Sequence, residues 1–272
     1  MKVTFDTNVW QKVILPEKYS NDSLVKEYRT IKDAIKNKAI TPFISETIFT
    51  IEGIDKKDRL DFLRSDKPNI QFNHIETNDG SIGIEIVISP NPEIHPGNNE
   101  FLKEYLEEAL SLGFNIFHLP RIGGITNPEM ANLFYKMDEE EIERMHEVST
   151  KIENHSAGVF HAMEIGFKYD SSAWYVRLGK APKSEMKKTV YALAEWSDGD
   201  SIAGHIGILG DYFCTNDSAK TSGPKSILSV QNKKWLQEEY SFKTISPKGL
   251  SDILISSKNN TAPNKSIAAS RG

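Results

Sequence analysis

Cysteine is almost absent from this chain of 272 residues, since Cys214 is the only one. A single cysteine excludes an intramolecular disulfide and a C-x-x-C zinc site. Long hydrophobic runs are also missing, because no stretch approaches the roughly 18 uninterrupted apolar residues of a membrane span. The opening residues MKVTFDTNVW lack the apolar core of a signal peptide. We therefore expect a protein of a reducing, cytoplasmic compartment that has no membrane partner.

An excess of basic residues is lacking too, because 33 Lys and Arg face 38 Asp and Glu for a net charge of −5. This balance argues mildly against a protein that binds nucleic acid over its whole surface, although it leaves room for a basic patch. The glycine patterns of P-loop and Rossmann proteins do not occur. The length allows one large globular domain or two modest ones.

Short apolar strands alternate with helical patterns at both ends of the chain, which predicts an α/β fold with a doubly wound, mainly parallel sheet. Ligands of such sheets bind outside the carboxyl ends of the strands, so the residues there are the first candidates for function. The predicted strands are Lys2–Phe5, 39–43, 114–119, 211–215 and 242–245.

The middle of the chain changes its period. Alternating apolar residues at 69–77 and 81–89 surround Asn78-Asp79-Gly80, which predicts a β-hairpin. An amphipathic helix should follow at 101–112, and longer helical patterns cover 138–168 and 183–210. We expect the first of these to break near Gly158 and the second near Gly199. From Ser256 onward the polar composition predicts a disordered tail.

Carboxylates stand at matching places on the predicted elements. Asp6 and Asp217 each follow a strand. Asp200 begins a helical pattern close to the strand that leads to Asp217, with Asp198 as its alternative. Another acid comes from a predicted helix that Ser45 caps and that ends near Ile54. Its candidates are Glu52, at the boundary of the core, and Glu46, which suits a helix cap better.

Carboxylates gathered at one edge would repel one another and raise one another's pKa values. A fold keeps such a group when a divalent cation neutralises it, and all-oxygen ligands suit Mg²⁺ or Mn²⁺. A hard cation in an acidic cleft commonly acts on phosphates. These residues therefore predict a metal centre that handles a phosphorylated substrate.

The chain resembles the PIN-domain family of metal-dependent ribonucleases, which includes many bacterial toxins. The resemblance is carried in chain order by MKVTFDTNVW, ISETIFTIEG, GDSIAGHIGILG and DYFCTND, with FKTISPKGL similar to the closing strand and helix. It implies a three-layer PIN-like domain over 1–67 and 114–255, in which 120–182 is an extended helical part. Residues 68–113 would be an inserted hairpin plus helix, and 256–272 the tail.

The resemblance implies that the protein hydrolyses RNA with water activated by one or two Mg²⁺ or Mn²⁺ ions. Asp6, Asp200 and Asp217 would bind the metal, Glu52 would complete the pocket, and all four are the expected catalytic residues. The protein would act either as a toxin with an antitoxin-like protein partner or as an RNA-processing enzyme, and a homodimer is a further expectation. The alternative is a catalytically inactive PIN-like scaffold that binds RNA or a protein.

Supporting residues follow from the same motifs. Asn8 and Thr215 are expected to orient the carboxylates or a phosphate. Arg121, Lys220 and Lys225 stand in polar loops after strands and are the expected contacts for substrate phosphates. His205, on a helix among small residues, is more typical of a packed, hydrogen-bonded core histidine than of a catalytic one.

Overall fold

The molecule is described here from a computed structural model. The structure describes residues 1–50, 52–55, 57–59, 62, 69–76, 82–89, 95, 97–119, 127–130, 132–169, 178, 180–217 and 226–261. The strands are β1 (Lys2–Phe5), β2 (Thr41–Ser45), β3 (Asn69–Glu76), β4 (Ile82–Ser89), β5 (Asn115–Phe117), β6 (Tyr212–Cys214) and β7 (Thr244–Ile245). The α-helices are α1 (Thr7–Ile14), α2 (Val25–Lys36), α3 (Glu100–Ser111), α4 (Glu139–Asn154), α5 (Phe160–Gly166), α6 (Met186–Gly207), α7 (Val230–Tyr240) and α8 (Pro247–Thr261).

Five strands form one parallel sheet in the order β5-β2-β1-β6-β7. The central strand β1 pairs with β2 on one side and β6 on the other, with Val3 opposite both Pro42 and Tyr212. Strand order therefore departs from chain order, as a sheet wound in both directions from its middle requires. The predicted α/β class with its parallel sheet is confirmed.

Side-chain alternation along the strands divides the core into two layers. Val3 and Phe5 of β1 pack on one face with apolar side chains of α1, α2, α3 and α8. Phe213 of β6 packs on the other face with side chains of α4, α6 and α7. Successive strand residues point to opposite faces, so each buried strand supplies both layers. Helices on both faces of the sheet give a three-layer arrangement.

Helix α6 runs unbroken through Gly199, so the predicted interruption there is wrong. The glycine serves a close crossing instead, because a Cβ on Gly199 would lie 2.8 Å from Cα of Gly158. Gly158 has a φ of +60° and lies between α4 and α5, which confirms the predicted break at that position. The two glycines let the α4–α5 turn rest directly on α6.

The predicted hairpin is confirmed as an antiparallel pair, β3 with β4, in which Asn69 lies opposite Ser89. Its expected turn at Asn78-Asp79-Gly80 falls outside the described residues.

The prediction of a helix that Ser45 caps and that ends near Ile54 is wrong. Ser45 does cap a helical segment, through its side chain and Thr47 N, but that segment is only the short 3₁₀ helix Glu46–Ile48.

The expected disordered tail is wrong for residues 256–261, because α8 continues to Thr261. Good helix formers are sparse there, but Leu250 and Leu254 anchor the preceding turns in the core and the helix extends from them. Residues 262–272 lie outside the described part of the chain. Within the described residues, no helix is long and apolar enough to cross a membrane.

Candidate functional site

The parallel strands end along one edge of the sheet, and polar side chains follow them directly. In sheet order the first residues after β5, β2, β1 and β6 are His118, Glu46, Asp6 and Thr215. Ligands of open α/β sheets bind at this edge. The row of strand-end residues is therefore the candidate functional site.

Asp6 lies at the centre of this row and is held by three hydrogen bonds. Its Oδ1 accepts from the backbone N–H of Thr7 at 2.7 Å, which caps α1. Its Oδ2 accepts from Nδ2 of Asn8 at 2.8 Å and from the Thr215 hydroxyl at 2.5 Å. Asn8 also accepts from the backbone N–H of Asn216 at 3.0 Å, so it joins the ends of β1 and β6. These contacts fix the Asp6 carboxylate.

The surroundings of Asp6 oppose its negative charge. Burial raises the pKa of its carboxyl group to about 6, and the charges of Glu52 and Asp217 act in the same direction. The hydrogen bonds from Thr215 and Thr7 oppose this shift without cancelling it. Since the two neighbouring charges act on Asp6, the three acids share one local environment.

Asp198, on α6, joins the same group. Burial raises its pKa well above the ordinary value, and so do the charges of neighbouring carboxylates. In order of effect these belong to Asp6, Glu52, Glu195 and Asp217. We call Asp6, Glu52, Glu195, Asp198 and Asp217 the acidic cluster. It draws on β1, on the segments that follow β2 and β6, and on α6.

Neighbouring groups hold Glu52 and Glu195 in place within the acidic cluster. Glu52 accepts a hydrogen bond of 2.5 Å from the Ser197 hydroxyl. Glu195 accepts one of 3.0 Å from the backbone N–H of Ile227. The buried guanidinium of Arg59 donates to the carbonyls of Ile54 and Glu52, at 2.8 and 3.0 Å, and so fixes the backbone that carries Glu52.

Asp200 takes a different neighbourhood from Asp198. Its carboxylate accepts a hydrogen bond of 2.8 Å from Nε1 of Trp196, and its charge raises the pKa of Glu46. Residues two apart on an α-helix point about 200° apart, so Asp198 and Asp200 leave α6 in nearly opposite directions. The charge of Asp6 therefore acts on Asp198, while the charge of Asp200 acts on Glu46.

Glu46 and His118 form an ion pair at the ends of β2 and β5. Glu46 is 5% exposed, and its Oε1 lies 2.5 Å from Nδ1 of His118. Burial raises the pKa of Glu46, His118 lowers it, and the charge of Asp200 raises it. Among the described residues, neither the buried Oε2 of Glu46 nor Nδ1 of His118 has a hydrogen-bond partner, so the two side chains meet as an ion pair. The His118 ring stacks on Phe134 with centroids 4.5 Å apart.

Sequence reasoning missed three of these residues. His118 was hidden because the strand was predicted to run to Leu119, whereas β5 ends at Phe117. The rule that strand ends carry function would have found it with the correct boundary. Glu195 and Ser197 carry no comparable signal, because their place on the inner face of α6 depends on how that helix packs.

His205 and three basic residues of loops are the remaining residues that the sequence singled out. His205 is fully buried, its Nδ1 lies 2.9 Å from the Thr4 hydroxyl, and the core interpretation of this histidine is confirmed. Arg121, Lys220 and Lys225 lie outside the described residues.

The donor set of the acidic cluster suits a hard cation in its chemistry. All five side chains offer carboxylate oxygens, and the pKa values of Asp6 and Asp198 are raised partly by neighbouring charge, which a divalent cation relieves. As the side chains stand in the described part of the chain, no three His, Cys, Asp or Glu are gathered closely enough to hold a metal ion. Binding a cation therefore requires these carboxylates to turn toward one another.

Comparison of the chain with models of protein families, with curated proteins and with solved structures gives no match.

Proposed function

We propose that the chain is a PIN-like, divalent-metal-dependent endoribonuclease that hydrolyses the phosphodiester bonds of RNA. The observation that carries this proposal is the acidic cluster at the carboxyl edge of the sheet, where Asp6 is buried and Asp198 half-buried among other carboxylates. Such repulsion lowers the stability of the folded protein, so a function that uses the charge explains why it is kept.

The proposed metal ligands are Asp6, Glu52, Asp198 and Asp217, with Glu195 adding negative charge behind them. Asp198 takes the place for which Asp200 was the first candidate, because the pKa of Asp198 responds to the charges of the other three ligands. Carboxylate ligands favour Mg²⁺ or Mn²⁺ over zinc. When bound, such an ion polarises a phosphate oxygen and lowers the pKa of a water molecule.

The surrounding residues support these ligands. Thr215 and Asn8 hold the Asp6 carboxylate, while Ser197 and Arg59 hold the side chain and backbone of Glu52. Groups of this kind fix the orientation of a ligand before the ion arrives, and their loss commonly costs about 10- to 100-fold in metal affinity or activity. The choice of RNA, and of a toxin-type or RNA-processing role with an antitoxin-like partner, rests on the resemblance of the sequence motifs to the PIN-domain family.

The proposal is tested by incubating the purified chain with defined RNA and single-stranded DNA in Mn²⁺, in Mg²⁺ or in EDTA. We expect cleavage of RNA that needs the metal and that Asp6→Asn and Asp217→Asn abolish. Asp33→Asn is the matched control, because Asp33 is an exposed carboxylate on α2.

Cleavage in EDTA, or cleavage that survives both substitutions, contradicts the proposed mechanism. RNA binding by the wild-type chain without any cleavage would instead support the inactive scaffold.

A further inference from the structure

The ion pair of Glu46 and His118 lies beside the acidic cluster but is not one of its members. His118 is the first residue after β5, and Glu46 is the first after β2. Among the first residues that follow the strands of the parallel sheet, His118 is the one whose side chain can carry a positive charge. A cationic group at the edge of an acidic cleft suits an anionic part of a substrate.

The pair is built so that the imidazole, and not the carboxylate, faces solvent. The side chain of His118 is 26% exposed and that of Glu46 only 7%. Nδ1 of the ring meets Glu46, which leaves Nε2 on the opposite side of the ring. The imidazolium form carries a proton on both ring nitrogens, so Nε2 can donate to an anion while Nδ1 stays against Glu46.

One further contact keeps the imidazole in place. Stacking on Phe134, with an angle of 8° between the rings, fixes the plane of the imidazole. Among the described residues, the buried Oε2 of Glu46 has no hydrogen-bond partner and His118 is the basic side chain within ion-pair distance of this carboxylate. The charged form of His118 would therefore neutralise Glu46.

The position of His118 along the sheet edge sets which part of a substrate it can reach. Strand β2 lies between β5 and β1, and neighbouring strands are about 4.8 Å apart, so His118 stands about 10 Å along the edge from Asp6. A phosphate over the acidic cluster and a phosphate at His118 are therefore different groups along the same strand.

We infer that His118, backed by Glu46, binds the phosphate of the RNA strand that neighbours the phosphate to be cleaved. This inference rests on the proposed function and adds a substrate-binding subsite to it. The subsite gives an acidic cleft an attractive contact for a polyanion and sets the register of the strand over the metal ligands.

The test pairs protein variants with RNA oligonucleotides whose cleavage site has been mapped with the wild-type chain in Mn²⁺. Each oligonucleotide carries one uncharged methylphosphonate at a different flanking phosphate. The adjoining 2′-hydroxyl is replaced by 2′-O-methyl both in that substrate and in its unmodified partner. The measured quantity is the ratio of kcat/KM between the two members of each pair.

For the wild-type chain we expect the methylphosphonate to lower kcat/KM about 10- to 100-fold at the phosphate next to the cleavage site, the size expected for a lost charge-assisted hydrogen bond. His118→Gln should lower kcat/KM on the unmodified RNA by a similar factor and be insensitive to the methylphosphonate at that position only. Glu46→Gln should reduce the sensitivity there in part. His155→Gln is the matched control, because His155 also stacks on an aromatic ring, that of Trp235.

The inference is overturned if His118→Gln keeps the wild-type sensitivity at every phosphate, whether or not its overall activity falls, since a purely structural role would act on all substrates equally. In that case the wild-type chain still cuts RNA and the proposed function stands. If the wild-type chain cuts no RNA, the proposed function fails and the subsite fails with it.

Discussion

Two polar pairs lie between the β1 end of the sheet and α6, one buried and one at the edge, and they behave in opposite ways. Deep in this interface Thr4 of β1 meets His205 of α6. At its edge the charge of Asp6 raises the pKa of Asp198. Asp6 has an extended backbone directly after β1 and lies two residues beyond Thr4, so these two side chains point to the same face. Asp198 and His205 are seven residues apart on α6, so they share one face of that helix.

The deep pair is satisfied. Burial lowers the pKa of His205 to about 3, so the ring is neutral, and it shares a hydrogen bond with Thr4. Edge-on contacts with Phe213 and Phe242 complete its surroundings, with centroids 5.7 and 5.5 Å away. The edge pair instead keeps groups of like charge together. Polar groups buried against the same two elements thus serve stability in one place and indicate function in the other.

The largest expected effect is on activity, and it distinguishes Asp198 at the edge from His205 in the deep pair. Asp198→Asn should lower RNA cleavage roughly 10³-fold, because it removes a ligand worth several kcal/mol of transition-state stabilisation. Asp200→Asn, two residues along α6, should cost far less, and His205→Gln should leave kcat unchanged. Single-turnover cleavage rates of the three variants make the comparison. A larger loss in Asp200→Asn than in Asp198→Asn would return Asp200 to the metal site.

The next largest effect is on the pH dependence of folding stability, to which His205 of the deep pair contributes. His205 is protonated near pH 6.5 in the unfolded chain but only near pH 3 in the folded chain. The neutral ring therefore contributes to folding stability above pH 6.5, and this contribution is lost as the pH falls below that value. We expect about 2 kcal/mol of this loss between neutral pH and pH 5, and its absence in His205→Gln. Urea unfolding at a series of pH values measures the difference, which isolates His205 from the opposite contribution of Asp6.

The control for this measurement is His146→Gln, since His146 is exposed on α4. Its stability should follow the wild-type curve. Parallel curves for the wild-type chain and His205→Gln would show that the buried ring is protonated in the folded state.

The smallest effect is on the contribution of Asp198 to folding stability, which is lost as the pH rises, whereas that of His205 is lost as the pH falls. A carboxyl group with a raised pKa stabilises the fold when protonated, and that contribution is lost as pH rises through the folded pKa. Asp198→Asn should therefore raise the free energy of unfolding at pH 7 in EDTA by about 1 kcal/mol, a shift in Tm of about 2–4 °C.

Adding Mn²⁺ should stabilise the wild-type chain and leave Asp198→Asn nearly unchanged, which removes the difference. Differential scanning calorimetry with and without the metal measures both results, with Asp33→Asn as the control. A lower Tm for Asp198→Asn in EDTA would mean that the acidic cluster is not under repulsion.

The sequence predicts the features that depend on local pattern. Strand ends marked by Asp6 and Thr215, the period-two hairpin and the break at Gly158 all follow from residue spacing. Features that depend on how elements pack do not follow from it. The sequence pattern predicts that Gly199 breaks a helix, and only its close contact with Gly158 explains why a glycine is needed there. The choice between Asp198 and Asp200 depends on how α6 is rotated against the sheet.

The contact between Asp6 and Thr215 joins residues 209 positions apart. At about 5–20 residues per second a ribosome takes roughly 10 to 40 s to make the chain between them. During that time Asp6 exists without the Thr215 hydroxyl, and Asp198 and Asp217 are the last members of the acidic cluster to be made. The acidic cluster therefore stays incomplete while the growing chain is still held on the ribosome with its own messenger RNA.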